Sequence, residues 1–310
     1  MAVPTDAVPH GGILALFGPT GVGKTAVALA LARRMRADGH VPVAVSADAL
    51  QVYDGLEVLT GAASAEERAV LDHRLVGIVP VTETFSAGRF AHLAHQEIDA
   101  LLARGAVPIV VGGTGLYLRA ALTELELRPV VPAGLAERWA ARLAAEGPRA
   151  LHAVLSEQAP WAADSIDPHD AHRITRALAL DELGALSPRE GPSALWTDDV
   201  RVPTRLVGLT RDRDDLAARI DARVQSMLDA GAEGEVRAAD VAGASVTARK
   251  ALGFGHLLRG DVQGMQRDTR RYAKRQLTWM RKLPGVEVID VTGREPDDVA
   301  AQILAGSRGA

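Results

Sequence analysis

The chain has 310 residues, 47% of them hydrophobic and 24% charged, with a formal net charge of −4, a composition that can bury a sizeable core and gives no whole-chain attraction to nucleic acid. No run of eighteen apolar residues could span a bilayer, and Met1 to Gly12 has neither the charged start nor the apolar stretch of a secretion signal, so a cytoplasmic location is expected. The absence of cysteine excludes disulfides, thiol chemistry and cysteine-ligated zinc, and the nine histidines form no H-x-x-x-H pair, so no structural metal is expected.

Ile13 to Phe17 is a short apolar run ending at a glycine, and Thr25 to Met35 reads as a helix rich in Ala and Leu: strand, loop, helix. Val41 to Ser46 and Val107 to Val111 read as further strands, apolar on both faces and bounded by turn residues. Such strands alternating with helices predict an α/β core with a mostly parallel sheet flanked by helices. From Pro129 the rhythm changes to Ala, Leu and Arg at helical spacing. That pattern predicts an all-helical insertion over residues 129–200, closed by the loop Leu186 to Asp199 with its Ser187-Pro188 and Gly191-Pro192 turns. The core would then comprise residues 1–128 and 201–310. Arg205 to Leu209 reads as a strand returning to it, helices are expected at about 213–240 and 265–283, and Val286 to Val291 as a last strand. Between Arg267 and Lys282 seven basic residues stand against one acid, Asp268, a local charge of +6 that suits phosphate contacts. Tyr272, Leu277 and Trp279 in that stretch are expected to pack inward, as aromatics at helical spacing do.

Gly18-Pro19-Thr20-Gly21-Val22-Gly23-Lys24-Thr25 fits G-x-x-x-x-G-K-[ST] between a predicted strand and a predicted helix, the context a phosphate-binding P-loop requires. Backbone N–H groups and the helix N-terminus would converge on phosphate oxygens, Lys24 would add charge, and the Thr25 hydroxyl can hold Mg²⁺. Kinases and nucleotide hydrolases usually place a magnesium-binding Asp after a later strand. Here Val111 runs instead into Gly112-Gly113-Thr114-Gly115, which either leaves space beside the loop or supplies a turn with positive φ. Asp48, after the second strand, would lie at the carboxyl edge of the sheet, either as a base for an attacking amine or as a cap on the following segment.

Together these residues resemble the tRNA dimethylallyltransferases, and the resemblance runs over nearly the whole chain. G-P-T-x-x-G-K-T stands at Gly18 to Thr25, S-x-D-S-x-Q-V-Y at Ser46 to Tyr53 with Ala49 for the usual Ser, and V-G-G-T-x-x-Y at Val111 to Tyr117. His73-Arg74 and Phe85-Ser86 occupy the interval between the last two. Asp170 to Leu178 looks like N-D-x-x-R-x-x-R-A-L, Lys250 to Phe254 like K-A-I-G-Y, and Arg271 to Trp279 like R-Y-A-K-R-Q-x-T-W.

The resemblance implies transfer of a dimethylallyl group from dimethylallyl diphosphate to N6 of the adenine 3′ of the anticodon, in tRNAs reading codons that start with U. Asp48 would be the general base, Gly18 to Thr25 would hold the diphosphate, and Lys24, Arg211 and a Thr25-bound Mg²⁺ would neutralise the leaving group. Thr114 would line the channel where the substrates meet. The adenine must be flipped out of its loop. By family match, Asp48, Ala49, Leu50 and Gln51, then His172, Arg173, Ile174, Thr175 and Arg176, then Lys250, Ala251, Leu252, Gly253, Phe254 and Gly255, together with Thr114, would contact the tRNA anticodon stem-loop. An Arg at the start of the insertion belongs to the same set, at Arg138 or in register with Ala136. The chain departs from the family where D-I-G-T-A-K-P becomes Glu57 to Ala63, without the lysine, and where Phe254 replaces the common Tyr.

Two other enzyme classes and a binding protein compete. The Lys24-Thr25 motif alone suits an ATP-binding kinase or ATPase, against which Gly112-Gly113 stands. An isopentenyltransferase acting on free adenine nucleotides would need neither the insertion nor the basic helix. A non-catalytic RNA-binding protein would have no use for Asp48. No membrane and no protein partner is implied, and a monomer is the default.

Overall fold

The computed structural model describes residues 11–188 and 194–306, which fall into two compact units, Met1–Leu125 with Ala194–Ala310 and Glu126–Ser193. The first is built on six strands: β1 (Ile13–Phe17), β2 (Pro42–Ala47), β3 (His73–Arg74), β4 (Val107–Gly112), β5 (Thr204–Thr210) and β6 (Val286–Asp290), in the order β3-β2-β4-β1-β5-β6. Every pairing is parallel.

All five residues of β1 are buried, and their alternation divides two cores: Ile13, Ala15 and Phe17 join one cluster, Leu14 and Leu16 the other. This is the period-two pattern of a strand covered on both faces. Helix α1 (Lys24–Ala37) covers the second face through Val27, Leu31 and Met35, while α2 (Ala87–Ala103) and α3 (Gly115–Leu122) cover the first through Phe90, Ile98 and Leu118. Burying side chains of this size stabilises by roughly 1.5–3 kcal/mol each. Because the strands are parallel, the loops following β1, β2 and β4 all emerge at one edge of the sheet.

The second unit contains, among the described residues, only helices and turns. Its core joins Trp139 of α4 (Ala133–Glu146), Leu151 and Leu155 of α5 (Pro148–Gln158), and Ile174 and Leu178 of α6 (Ala171–Glu182), the last two pairs at i,i+4 spacing on one face. Pro148 opens α5, and the Asp170 side chain caps α6 by accepting the Arg173 N–H at 3.0 Å.

Two expectations need correction. The insertion bounds shift from 129–200 to Glu126–Ser193, because the turn Ala194–Trp196 belongs with the core, where the Trp196 and Trp279 rings lie 4.7 Å apart. The Gly191-Pro192 turn and the tail before Gly11 lie outside the described residues. The helix expected over 213–240 is two, α7 (Arg213–Asp229) and the helix Ala232–Val241, broken at Ala230-Gly231. Strand β3 carried no sequence signal: at two residues it is too short for alternation to register. The basic stretch forms α8 (Val262–Met280), and α9 (Pro296–Ala305) packs on α1.

Candidate active site

The loop from Gly18 to Gly23 connects β1 to α1, and Gly23 takes φ 111° as it enters the helix, a backbone open to glycine at no steric cost. Lys24 folds back across the loop, and its Nζ donates to the carbonyls of Gly18 at 2.8 Å and Pro19 at 3.0 Å. Thr20, Gly21, Gly23, Lys24 and Thr25 line a cavity of about 1010 Å³ at the carboxyl edge of the sheet, whereas Gly18, Pro19 and Val22 do not, and Val22 is fully buried in the core.

Asp48 lines the same cavity, and its Oδ1 accepts the Leu50 N–H at 2.9 Å, so it makes a local turn contact and also faces the site. Gln51 is held by Ser46, whose Oγ donates to Gln51 Oε1 at 2.8 Å, and its Nε2 donates to the Gly61 carbonyl at 3.1 Å.

The cation opposite Asp48 is one that the sequence reading passed over. Arg223, on the buried side of α7, lines the cavity and donates to the Gly61 carbonyl at 3.4 Å. Burial lowers its pKa, and the Asp48 charge works against that shift. Lys24 is pushed down to about 7, first by burial, then by the neighbouring Arg223 charge, with Asp48 opposing. Two desolvated cations, Lys24 and Arg223, therefore face the Asp48 carboxylate in one cavity, whose wall also carries Arg68, Arg219, Glu57 and Glu67. Arg211 is elsewhere: its guanidinium pairs with Asp215 and points at the Val22 carbonyl, 3.4 Å away, behind the loop, and it does not line the cavity. The signal for Arg223 was available, since an arginine on the apolar stripe of Ile220, Val224 and Met227 has to be explained by what it faces.

Neither Gly112 nor Gly113 has positive φ, and both line the cavity beside the phosphate loop, as the space-leaving alternative expects. A Cβ on Gly113 would lie 2.3 Å from Gln276 Nε2 and 3.0 Å from the Gly18 carbonyl, so glycine is needed for close approach. Gln276, in α8 and buried, accepts the Thr20 N–H on Oε1 at 2.8 Å and donates from Nε2 to the Gly113 carbonyl at 2.8 Å. No carboxylate follows β4. Thr114 does not line the cavity, and its hydroxyl is 2.8 Å from the Tyr272 hydroxyl. Tyr272 corrects the expectation of core packing: it is half-buried and forms part of the cavity wall, with burial pushing its phenol up to about 12. Trp279 and Leu277 do pack inward.

Of the residues assigned to RNA contact, Leu50, Gln51 and Leu252 line the cavity with Asp48, while Ala49, Lys250, Gly253 and Gly255 do not. Ala251 and Phe254 are buried in the core beneath it. In the helical unit Ile174 is fully buried, so its side chain cannot reach RNA. Thr175 donates its hydroxyl to the Ala171 carbonyl at 2.9 Å, Arg176 donates to the carbonyls of Arg128 and Pro129, and Arg138 pairs with Glu182, which also accepts the Trp139 Nε1–H at 3.1 Å. His172 and Arg173 stand on the first turn of α6. Where the family lysine is missing, Ala62 lines the cavity, and Arg68 lines it nearby with its Nε on the Ala63 carbonyl at 2.9 Å.

The chain is similar to known proteins over nearly its whole length. The chain is 38% identical over 309 residues to a tRNA dimethylallyltransferase of Kineococcus radiotolerans, covering 96% of each chain, and 39% identical over 287 residues to one of Thermobifida fusca, covering 88% of each. Its fold matches the tRNA isopentenylpyrophosphate transferase of Bacillus halodurans with a TM-score of 0.67 and 31% identity, over 94% of each chain. The sequence model of the IPP transferase family matches residues 51–283, and the chain belongs to that family.

Proposed function

We propose that this chain is a prenyl transferase that moves a dimethylallyl group from dimethylallyl diphosphate to N6 of the adenine 3′ of the anticodon, in tRNAs reading codons that start with U. The observation that carries the reading is that two desolvated cations, Lys24 and Arg223, meet the Asp48 carboxylate in a single cavity, in whose wall Arg68, Arg219, Glu57 and Glu67 also stand. A diphosphate supplies the missing negative charge, and a carboxylate beside it serves as a base.

The N6 nitrogen attacks C1 of the dimethylallyl group, the C1–O bond breaks, and its electron pair leaves on the diphosphate. Asp48 takes the proton that N6 loses. Lys24, Arg223 and the loop N–H groups meet charge as it builds on the departing oxygens, the kind of preorganised term that usually contributes most. Tyr272 offers an aromatic wall to a flipped base.

Thr25 lines the cavity from the first turn of α1 and fits as a protein ligand for Mg²⁺, with diphosphate oxygens completing the set. Bound there, the ion would offset part of the leaving group's charge. Among the described residues no group of three His, Asp or Glu side chains could hold it alone. His172, Arg173 and the exposed Lys250 are assigned to the RNA, and the enzyme is placed in the cytoplasm and read as a monomer.

The test is transfer of radiolabelled dimethylallyl diphosphate, with Mg²⁺, to unmodified tRNA, alongside AMP and ATP-only incubations. Label in tRNA alone is expected. Label in AMP would move the enzyme to nucleotide prenylation, and phosphate released from ATP without label transfer would make it a kinase or ATPase.

A further inference from the structure

The short helix Glu57–Thr60 and the turn that follows it form one wall of the reaction cavity, from Val58 through Gly61 to Ala63. A helix this short does not hold its shape alone. Leu56, the residue before it, has no side chain able to cap its first turn. The cap comes from far along the chain. Glu235, on the helix Ala232–Val241, lays its carboxylate across that turn, one oxygen accepting the Val58 N–H and the other the Leu59 N–H, both at 2.9 Å. Glu235 itself is half-buried and does not line the cavity.

The other end of the same segment seats Arg223. Gly61 closes the helix with φ 58°, and its carbonyl accepts from Gln51 Nε2 at 3.1 Å and from Arg223 Nη2 at 3.4 Å. The second of these bonds is long, so it does little to orient the guanidinium. The contact surface does more: a Cβ on Gly61 would overlap the Arg223 guanidinium, which therefore rests directly on the Gly61 backbone. Arg223 is a desolvated cation, and a charge in so little water acts strongly on whatever faces it. Its effect on a reacting group then depends on placement to within about 1 Å.

We propose that Glu235 is a positioning residue for the transfer reaction: by clamping the first turn of Glu57–Thr60 it fixes Gly61, and through Gly61 the Arg223 guanidinium that meets the leaving diphosphate. The inference rests on the function proposed above. Arg223 and Glu235 stand on consecutive helices, α7 and Ala232–Val241, joined at Ala230-Gly231, so one helical arm grips the cavity segment at both ends. For stability alone, a Ser or Asp at position 56 would cap the helix as well. What the distant carboxylate adds is a fixed spacing between the segment and the arm that carries Arg223, and that spacing decides where the guanidinium lies.

The test is a double-mutant cycle between Glu235→Ala and Arg223→Ala, read as affinity for dimethylallyl diphosphate, beside the KM for tRNA in transfer assays. In the wild-type background Glu235→Ala should weaken dimethylallyl diphosphate binding about fivefold and leave the KM for tRNA within about twofold. In the Arg223→Ala background the same change should alter the affinity by less than about 1.5-fold, because the side chain it acts through is gone. Glu235→Gln keeps the volume and one acceptor oxygen; it runs through the same cycle if the alanine variant does not fold, with about threefold expected in place of fivefold. Equal factors in the two backgrounds would reduce Glu235 to a cap that stabilises the fold, and a matching rise in the KM for tRNA would do the same. With a wild type that prenylates tRNA, either result overturns the positioning role alone. A wild type that transfers nothing to tRNA sinks the reading beneath it.

Discussion

Gln276 in α8 accepts the Thr20 backbone N–H at 2.8 Å, tying the phosphate loop to a helix 256 residues further along the chain. With its other amide atom on the Gly113 carbonyl, one buried side chain sets the spacing of the two loops that floor the cavity. Gln276→Met keeps the length and removes both bonds, leaving a buried N–H and C=O without partners at a cost of about 1–3 kcal/mol. The expected result is a KM for dimethylallyl diphosphate raised about tenfold, on the order of 1.4 kcal/mol, with the KM for tRNA little changed. Steady-state kinetics beside a thermal melt checks it. Equal rises in both KM values would mean general loosening rather than positioning.

Removing the base should separate chemistry from binding. Asp48→Ala is expected to slow the chemical step by a factor of about 10² or more while tRNA affinity stays close to that of the wild type. Single-turnover transfer beside a filter-binding titration reads the two quantities apart, and a parallel loss of both would remove Asp48 from the proton transfer.

What could be read in advance, and what could not, follows from the range of each signal. The phosphate loop and Asp48 were legible because they lie in short motifs attached to buried strands, where the sequence itself states the context. Arg223 left a weaker signal, an arginine on an apolar stripe, and nothing within α7 says that the stripe turns toward Asp48; Arg211, nearer the strand end, drew the assignment and is paired with Asp215 behind the loop. Gln276 stood in a recognised motif without a role, since its partners lie far away in sequence. Tyr272 was assigned to the core because periodicity identifies a stripe as inward-facing and cannot tell a core from a cavity wall.

The exchange of arginines makes a paired prediction. Arg223→Ala should raise the KM for dimethylallyl diphosphate by tenfold or more, whereas Arg211→Ala should leave it within about twofold, a difference on the order of 1 kcal/mol. Binding of a non-reactive diphosphate analogue to the two variants checks the order, and the reverse ranking would return the leaving group to Arg211.

Lys24 ties the site to pH. In the ligand-free protein its pKa is about 7 against an ordinary 10.5, so between those values the unfolded chain binds more protons and stability rises with pH across that window. A bound diphosphate reverses the imbalance by favouring the ammonium form. At pH 8, therefore, binding should take up a fraction of a proton approaching one, and affinity should fall as pH rises above 7, by up to about tenfold or 1.4 kcal/mol per pH unit. Below pH 7 Lys24 is already charged and this dependence flattens. Calorimetric titration of a diphosphate monoester at pH 8, in two buffers of different ionisation heat, measures the uptake directly, and Lys24→Met should abolish it. Binding without proton uptake would mean that Lys24 stays protonated in the empty site, and that the diphosphate meets an already charged loop.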